Sequence, residues 1–440
     1  MRFRSLLGQS PAVSFREALF QGIAPDGSLY VPESFPVLTF QSPKALSTVG
    51  LPAVAARVLG QFIDEIPPPD LLNLATQAFN FPIPLVKLEE KLHLLELFHG
   101  PTLAFKDVGA RFMASALSYF LERERRELTI AVATSGDTGS AVAHGFFNVP
   151  HISVFVLYPS GRISRLQEQQ MTTLGGNIHA LEVEGTFDDC QRLLKQALAD
   201  DDLVKELNLT TANSINLGRL IPQITYHVWG VLLLGEKGDV PVTPRGGSSP
   251  IVAVPSGNFG NLTAAAYAKQ MGADIVGLVS ASNANDVVPE FFRSGIFRPR
   301  PSVQTYSNAM DVGNPSNFAR LQALYGNDLQ RMRRDISAFS ITDQETLDEI
   351  RRTYERSGIV LDPHTAVGVA AVRKSTSLTD RSQPTIVVAT AHPAKFPEVI
   401  AAALDTSPAL PHQLQEALAR PKQSVMTPAN YKHIRQLLLS

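Results

Sequence analysis

Residues 128–145, LTIAVATSGDTGSAVAHG, contain one strand–turn–helix unit, and this unit indicates the fold of the chain. Its first part, LTIAVATS (128–135), is a short apolar run of the kind found in strands that are buried on both faces. The glycine-rich turn SGDTG follows at once, and the residues after it favour a helix. A strand, a tight turn and a helix in this order form the repeating unit of a parallel sheet.

The same pattern recurs along most of the chain. Six further apolar runs of strand length are HLLELF (93–98), ISVFVLY (152–158), NIHALEVEG (177–185), PIVAVPS (250–256), DIVGLVSAS (274–282) and TIVVATA (385–391). Amphipathic stretches of helix length separate most of these runs. We therefore predict an α/β fold with two open, mostly parallel, doubly wound sheets that carry helices on both faces.

The alternation is interrupted once, at GEKGDVPVTPRGGSSP (235–250), which we predict to be an exposed loop. We expect three parts in the chain. An N-terminal segment, 1–90, packs on the large domain, a smaller α/β domain covers 91–220, and the large α/β domain covers 221–440. Within the last part, residues 410–440 are expected to form a closing helical segment.

Composition excludes several classes of function. The 440 residues include 39 Lys and Arg against 41 Asp and Glu, a net charge of −2, so we expect neither nucleic acid nor a membrane surface as partner. Cys190 is the only cysteine, which rules out an intrachain disulfide and a cysteine metal cluster; we expect no metal site. The N-terminal apolar run is too short for a signal peptide, and HVWGVLLLG (227–235) is too short to span a membrane. These features indicate a soluble cytoplasmic protein.

Lys106 stands at an unusual position for a cation. The apolar residues after it, at 108, 112, 113, 116, 117, 120 and 121, predict an amphipathic helix that begins near Lys106. A positive charge at a helix N-terminus is unfavourable by about 0.3–1 kcal/mol. The same environment favours the neutral amine, which is the form that attacks an aldehyde. The alternative for any isolated lysine is a surface side chain with its head in water.

Three polar turns at predicted strand ends could bind anions, because a helix start presents free N–H groups. The first, ATSGDTGSAVAHG (133–145), offers Ser135, Asp137 and Thr138; the alternative is an ordinary turn with Asp137 as the helix N-cap. The third, TANSINLGRLIPQ (211–223), contains the donors Asn213, Ser214 and Arg219, and arginine is well shaped for phosphate. Here the alternative is a helix cap with a surface arginine.

The second turn lies in VPSGNFGNLTAAAYA (254–268), between a predicted strand and a predicted helix. It lacks the GxGxxG spacing of a dinucleotide site, which argues against a nicotinamide-dependent oxidoreductase. Two glycines and two asparagines at a helix start suit one phosphate monoester better than a pyrophosphate. A capped turn without a ligand is the alternative. The residues concerned are Gly257, Asn258, Phe259, Gly260 and Asn261.

Taken together, seven segments resemble the threonine synthase family, pyridoxal-phosphate (PLP) enzymes of fold type II. They follow in family order over almost the whole chain, after an N-terminal stretch, SFREALFQGIAPDGSLYVPESFP (14–36), that also resembles the family. The segments are HGPTLAFKDV (99–108), SGDTGSA (135–141), NSINLGRL (213–220), VPSGNFGN (254–261), SNAMDVGNPSNFARL (307–321), LDPHTAVG (361–368) and ATAHPAKFPE (389–398).

The resemblance implies a role for each candidate residue. Lys106 corresponds to the lysine that carries PLP as a Schiff base, and Thr390 to the hydroxyl partner of the pyridine nitrogen. The loop that holds the cofactor phosphate corresponds to Gly257, Asn258, Phe259, Gly260 and Asn261. The substrate-binding positions, which grip the phosphate of O-phospho-L-homoserine or lie in the same motifs, are Ser135, Asp137, Thr138, Asn213, Ser214 and Arg219.

The implied reaction is the PLP-dependent β,γ-replacement that turns O-phospho-L-homoserine and water into L-threonine and phosphate. Three alternatives stay open on the residues alone: an O-phosphohomoserine phospho-lyase, a lyase of the serine or threonine dehydratase type, and a non-catalytic binding or regulatory protein with the same fold. The only partner that we expect is a small-molecule substrate, and the protein is expected to be a monomer or a homodimer.

Overall fold

The computed structural model describes residues 1–38, 50–236, 249–375 and 383–440. The predicted loop at 235–250 lies, apart from its ends, outside the described residues.

Thirteen strands in the described part of the chain form a two-stranded, a five-stranded and a six-stranded sheet. They are β1 Phe3–Ser5, β2 Tyr30–Pro32, β3 Leu85–Glu89, β4 Leu92–Glu96, β5 Leu128–Ala133, β6 Ile152–Pro159, β7 Ile178–Glu184, β8 Thr210–Thr211, β9 Ile251–Pro255, β10 Gly277–Ser282, β11 Ile336–Ser340, β12 Thr385–Ala389 and β13 Val425–Pro428.

Nineteen α-helices in the same residues connect and cover the sheets. They are α1 Phe15–Gln21, α2 Leu51–Leu59, α3 Pro68–Ala78, α4 Lys106–Glu124, α5 Asp137–Phe146, α6 Arg165–Thr172, α7 Phe187–Leu198, α8 Asp201–Leu207, α9 Leu217–Leu220, α10 Gln223–Glu236, α11 Gly260–Gln270, α12 Val287–Ser294, α13 Phe318–Leu324, α14 Leu329–Asp335, α15 Asp343–Ser357, α16 Pro363–Lys374, α17 Pro397–Leu404, α18 His412–Ala419 and α19 Tyr431–Leu439.

The two large sheets are parallel except at one edge. The smaller has the order β13-β7-β6-β5-β8, and the larger has the order β11-β10-β9-β12-β4-β3 with only the β3–β4 pair antiparallel. All seven runs predicted as strands are strands, as β4, β5, β6, β7, β9, β10 and β12. Their apolar runs are buried, as in β5 where every residue is buried. The prediction of two mostly parallel sheets is therefore confirmed.

Two strands lie in the sheet opposite to the one that the predicted domains imply. The run at 93–98 was grouped with residues 91–220, but β4 pairs with β12 in the larger sheet. Conversely, β13 arises from the segment at 410–440 that was expected to be helical, and it pairs with β7 in the smaller sheet. Parallel pairing is non-local, so the place of a strand along the chain does not fix its neighbour in a sheet. The domain boundaries stay predictions.

The N-terminal segment packs on helices from both sides of the predicted boundary at 220/221, rather than on the large domain alone. The guanidinium of Arg111, on α4, donates to the carbonyl oxygens of Gln77 and Ala78 at the end of α3. The indole N–H of Trp229, on α10, donates to Ile83 O at 2.9 Å. The apolar residues of α1 to α3 share one core cluster with α4 and α10, so the segment closes the core behind the site.

Candidate active site

A cavity of about 840 Å³ opens where the carboxyl ends of strands from the two large sheets face each other. Open parallel sheets bind ligands at such ends. The structure brings every residue predicted for the site to the wall of this one cavity. They are Lys106, Ser135, Asp137, Thr138, Asn213, Ser214, Arg219, Gly257, Asn258, Phe259, Gly260, Asn261 and Thr390.

Lys106 is the first residue of α4, and no side chain caps this helix start. The next residue, Asp107, is buried and accepts hydrogen bonds from Thr102 N–H at 2.9 Å and Thr102 O–H at 2.7 Å, which fixes the preceding loop. The Lys106 amine is inside the cavity, where burial lowers its pKa from 10.5 to about 8. The carboxylate of Asp137 opposes this decrease, whereas the Arg219 cation adds to it. The direction is the one that a neutral, nucleophilic amine requires.

Asp137 is buried and belongs to an ion pair that sequence reasoning missed. The helix N-cap is Gly136, so Asp137 does not cap α5 but is its first residue. Its Oδ1 lies 2.7 Å from Nζ of Lys395, which is completely buried. Gln167 Nε2 donates to the same oxygen at 3.0 Å. Burial alone would raise the pKa of this carboxyl, but the charge and hydrogen bond of Lys395 and the charge of Lys106 outweigh burial and hold the pKa well below its usual range.

The turn between β9 and α11 lets the main chain approach the cavity closely. A Cβ atom on Gly257 would lie 2.6 Å from Met310 Cα, so no side chain fits at this position. Phe259, the residue before α11 begins at Gly260, has a φ of 63° and so adopts the left-handed backbone conformation. The first N–H groups of a helix have no acceptor within it, so this turn offers free donors at the cavity wall.

The two asparagines of this turn are used differently. Asn258 Nδ2 donates to Ser214 Oγ at 2.6 Å and its Oδ1 accepts from Ser316 N–H at 2.7 Å, which ties two of the predicted phosphate turns together. Asn261 directs its Oδ1 toward Tyr226 Oη and His227 Nε2, at 2.8 and 2.9 Å. Its Nδ2 is buried and has no partner in the part of the chain that the structure describes; a buried donor of this kind at a cavity wall suits an anionic group of a ligand.

Two side chains of the turn at 211–223 differ in how far they are already hydrogen-bonded within the protein. The side-chain amide of Asn213 accepts from Ala133 N–H at 3.1 Å and donates to Ala133 O at 2.8 Å. These two hydrogen bonds stabilise the end of β5. Arg219 is 3% exposed and donates through Nη1 to Ala212 O at 2.5 Å, while its Nε has no partner among the described residues. Arg219 therefore keeps side-chain donors for an anion. The Ser214 hydroxyl, which accepts from Asn258 and Asn317, also keeps its own O–H for such a ligand.

Thr390 directly follows β12 at the carboxyl end of the larger sheet. Its carbonyl oxygen accepts from Phe105 N–H at 2.8 Å, which couples the end of β12 to the loop that presents Lys106. The nearby His364, for which the sequence suggested no role, also lines the cavity. Its Nε2 accepts from Ala309 N–H at 3.2 Å and its Nδ1 lies 2.9 Å from Asp362 Oδ1. Both ring nitrogens thus have structural partners.

These residues fit a phosphate-bearing aldehyde together with a second phosphate. A desolvated lysine amine, a turn too close for any side chain, and the orphan donors Asn261 Nδ2 and Arg219 Nε supply the necessary groups. Within residues 1–38, 50–236, 249–375 and 383–440, no cluster of three or more His, Cys, Asp or Glu is arranged to hold a metal ion. No helix in those ranges is long and apolar enough to cross a membrane.

Comparison with known proteins covers the full chain. Residues 77–391 match the family described as "Pyridoxal-phosphate dependent enzyme", residues 2–79 match "Threonine synthase N terminus" and residues 365–438 match "Threonine synthase, C-terminal". The chain is 38% identical to threonine synthase of Escherichia coli, over 100% of both chains, and 40% identical to that of Haemophilus influenzae, over 97% of both. A crystal structure of PLP-bound threonine synthase from Brucella melitensis superimposes with a TM-score of 0.91 at 36% identity, covering 100% of this chain and 98% of that one.

Proposed function

The chain belongs to the threonine synthase family of pyridoxal-phosphate-dependent enzymes, and from that premise we propose that it converts O-phospho-L-homoserine and water into L-threonine and phosphate. One observation carries the proposal: a single cavity places a desolvated lysine amine together with two separate sets of anion donors. A dehydratase acting on serine or threonine needs a phosphate site only for its cofactor. The second set, around Arg219, is explained by a substrate that carries its own phosphate.

The cofactor would be held by residues from both large sheets. Lys106 would bind it covalently through Nζ, and the main-chain N–H groups of the turn at 257–261 would bind its phosphate. The Thr390 hydroxyl would donate to the ring nitrogen and leave that nitrogen neutral. When bound, pyridoxal phosphate supplies a sink for the electrons that remain at the substrate Cα after its proton leaves.

Arg219, Ser214 and Thr138 would bind the substrate phosphate. The Arg219 guanidinium can donate two parallel hydrogen bonds to phosphate oxygens, and because the side chain is buried these bonds would form away from water, where they are stronger. Asn213 and Asn258 act behind these donors, since their amides fix the positions of Ala133 and Ser214. Ser135 and Asp137 complete this side of the wall.

Lys106 is the catalytic residue for proton transfer. With substrate bound, Nζ of Lys106 would stand beside the substrate Cα and would remove the Cα proton. A second proton must leave Cβ before phosphate departs from Cγ. Cγ must then be protonated, water must add at Cβ to supply the hydroxyl group, and Cα must regain a proton. An amine with a pKa of about 8 has an appreciable neutral fraction near pH 7.5, so it can both accept and return protons.

We further propose that the protein acts in the cytoplasm on this small-molecule substrate, as a monomer or a homodimer. Support comes from the nearly balanced charge and from a single cysteine, Cys190, which is buried and free. The absence of any broad basic field gives no reason to expect a nucleic acid partner.

The test uses the full chain with pyridoxal phosphate and O-phospho-L-homoserine, and it measures threonine and inorganic phosphate in the same samples. Equal molar amounts of the two products are expected. Release of a 2-oxo acid and ammonia in place of threonine would indicate the phospho-lyase instead. Borohydride treatment followed by peptide mapping should label Lys106, and a label on another lysine would contradict the assignment of this residue.

A further inference from the structure

We propose that Lys395 is a positioning residue of the active site, whose ammonium group holds the Asp137 carboxylate and so keeps that carboxylate from pairing with the amine of Lys106. The proposal rests on the proposed function, because it concerns the lysine that would carry the cofactor.

Lys395 joins three elements of the site. It ends a short 3-10 turn, Pro393–Lys395, that follows β12 of the larger sheet. Its Nζ lies 2.7 Å from Asp137 Oδ1, at the start of α5 beside the smaller sheet. The same Nζ donates at 2.8 Å to the carbonyl oxygen of Thr102, in the loop that leads to Lys106. A fully buried ammonium group is stable only where such partners are present.

Asp137 has two lysine amines within its electrostatic reach, but it pairs with only one. Within the described part of the chain, its ion pair is with Lys395, whereas Lys106 forms none. The groups that act on Lys106 are the Asp137 carboxylate, which favours the ammonium form, and the cations of Arg219 and Lys395, which oppose it. The neighbouring Asp107 carboxylate is occupied by Thr102.

The pair has a direct consequence for Lys106. A buried carboxylate that lost its counter-ion would take the nearest remaining cation as partner. That partner would be the Lys106 amine, held in its protonated form, which cannot attack a carbonyl carbon. By occupying Asp137, Lys395 leaves the Lys106 amine available for covalent attachment of the cofactor and for proton transfer.

The test compares Lys395→Met, Asp137→Asn and the double variant with the parent protein. The readout is the pH dependence of the rate at which the full-length apoprotein combines with pyridoxal phosphate at Lys106, trapped with borohydride and mapped by peptide mass spectrometry. The midpoint should rise by about one pH unit or more in Lys395→Met, which leaves about tenfold less neutral amine at pH 7.5. It should fall in Asp137→Asn, and the double variant should lie between the two, close to the parent.

Lys422→Met is the matched control. Lys422 also bridges two carboxylates, Glu168 and Glu182, but none of these residues lines the cavity. The pH midpoint of Lys422→Met should equal that of the parent. A shift as large as the one in Lys395→Met would overturn the proposal. An unmoved midpoint in Lys395→Met, or a double variant that matches Lys395→Met, would also overturn it.

Two further outcomes are decided by the same variants. If Lys395→Met does not fold, the proposal still requires the pH midpoint of Asp137→Asn to lie below that of the parent, and an equal or higher midpoint refutes it. A label on a lysine other than Lys106 would refute the proposed function as well. A label on Lys106 with unmoved midpoints would refute this proposal alone.

Discussion

Arg219 and Arg320 are two buried arginines with opposite expected responses to the same substitution. Within the described residues, the side chain of Arg219 is 3% exposed, makes one hydrogen bond, to Ala212 O, and has a buried Nε without a partner. Arg320 is completely buried and bonds through all three nitrogens. Its acceptors are Tyr30 O, Asn317 Oδ1, Ile215 O and Ser214 O, at 2.9, 2.7, 2.7 and 3.4 Å. We therefore predict that Arg219→Met impairs activity without loss of stability, whereas Arg320→Met unfolds the protein readily.

The magnitudes follow from what each side chain leaves behind. Loss of a buried charged contact to phosphate costs about 2–5 kcal/mol, so kcat/KM of Arg219→Met should fall between about 30-fold and a few thousand-fold. Most of the loss should appear in KM. The free energy of unfolding without ligands should stay within about 1 kcal/mol of the parent, because removing a poorly paired buried charge offsets one lost hydrogen bond. Arg320→Met leaves several buried acceptors without a donor, and it should lower the free energy of unfolding by about 3–5 kcal/mol.

The assay combines steady-state kinetics with O-phospho-L-homoserine, a cofactor titration followed by visible absorbance, and urea unfolding of the apoprotein for both variants. If Arg219→Met binds pyridoxal phosphate weakly but keeps its KM, Arg219 binds the cofactor phosphate and the assignment of the two anion sites is wrong. If it unfolds as readily as Arg320→Met, the guanidinium is a structural group and the reasoning from its unpartnered Nε fails.

Three other changes test separate parts of the site. Lys106→Ala should abolish both the visible absorbance of the loaded protein and turnover, so an unchanged spectrum would remove Lys106 from its role. Gly257→Ala should weaken cofactor binding at least tenfold, a loss of about 1.4 kcal/mol, because the added Cβ would lie 2.6 Å from Met310 Cα. Gly277→Ala is the control: the nearest atom that its added Cβ would meet, Asp335 O, is 3.8 Å away, so this variant should bind the cofactor normally. Burial lowers the pKa of His227 from 6.5 to about 4. As the pH falls, His227 is therefore protonated in the unfolded chain before it is protonated in the folded protein. This difference should lower the free energy of unfolding by up to about 1.4 kcal/mol per pH unit between pH 6.5 and pH 4. Urea midpoints over this range measure that slope, and an equal slope in His227→Gln would contradict the assignment.

Much of the fold could be predicted because its signals are local. A continuous apolar run that ends in a glycine turn, such as LTIAVATSGDTG, identifies both a buried strand and the helix that follows it. The start of α4 at Lys106 was readable from the helical spacing of the apolar residues after it. Six strands of the described residues were not predicted: β1, β2, β3, β8, β11 and β13. Among them, β13 has only one buried residue and β8 has only two residues, so neither gives a clear local pattern.

What could not be predicted depends on contacts between distant residues. The family segments indicated which residues gather at the site, but not which of them would already have partners. Asn213 and Arg219 look equally suited to phosphate as sequence letters, yet the amide of Asn213 bonds to Ala133 and Arg219 Nε stays free. Lys395 lies in one of the quoted segments, and its place in the short turn that follows β12 was the available signal. Its pairing with Asp137 became visible only with the two sheets in place.

The exchange of β4 and β13 between the sheets governs how the chain can assemble during synthesis. Leu92 emerges from the ribosome early, but it pairs with Thr385, most of the chain away. The outer edge of β7 likewise stays open until Val425 to Pro428 have been made. Neither half of the nascent polypeptide can complete its own sheet, so both remain exposed to aggregation until translation is nearly finished. A ribosome stalled before the last strands would therefore hold a product in which neither large sheet is finished.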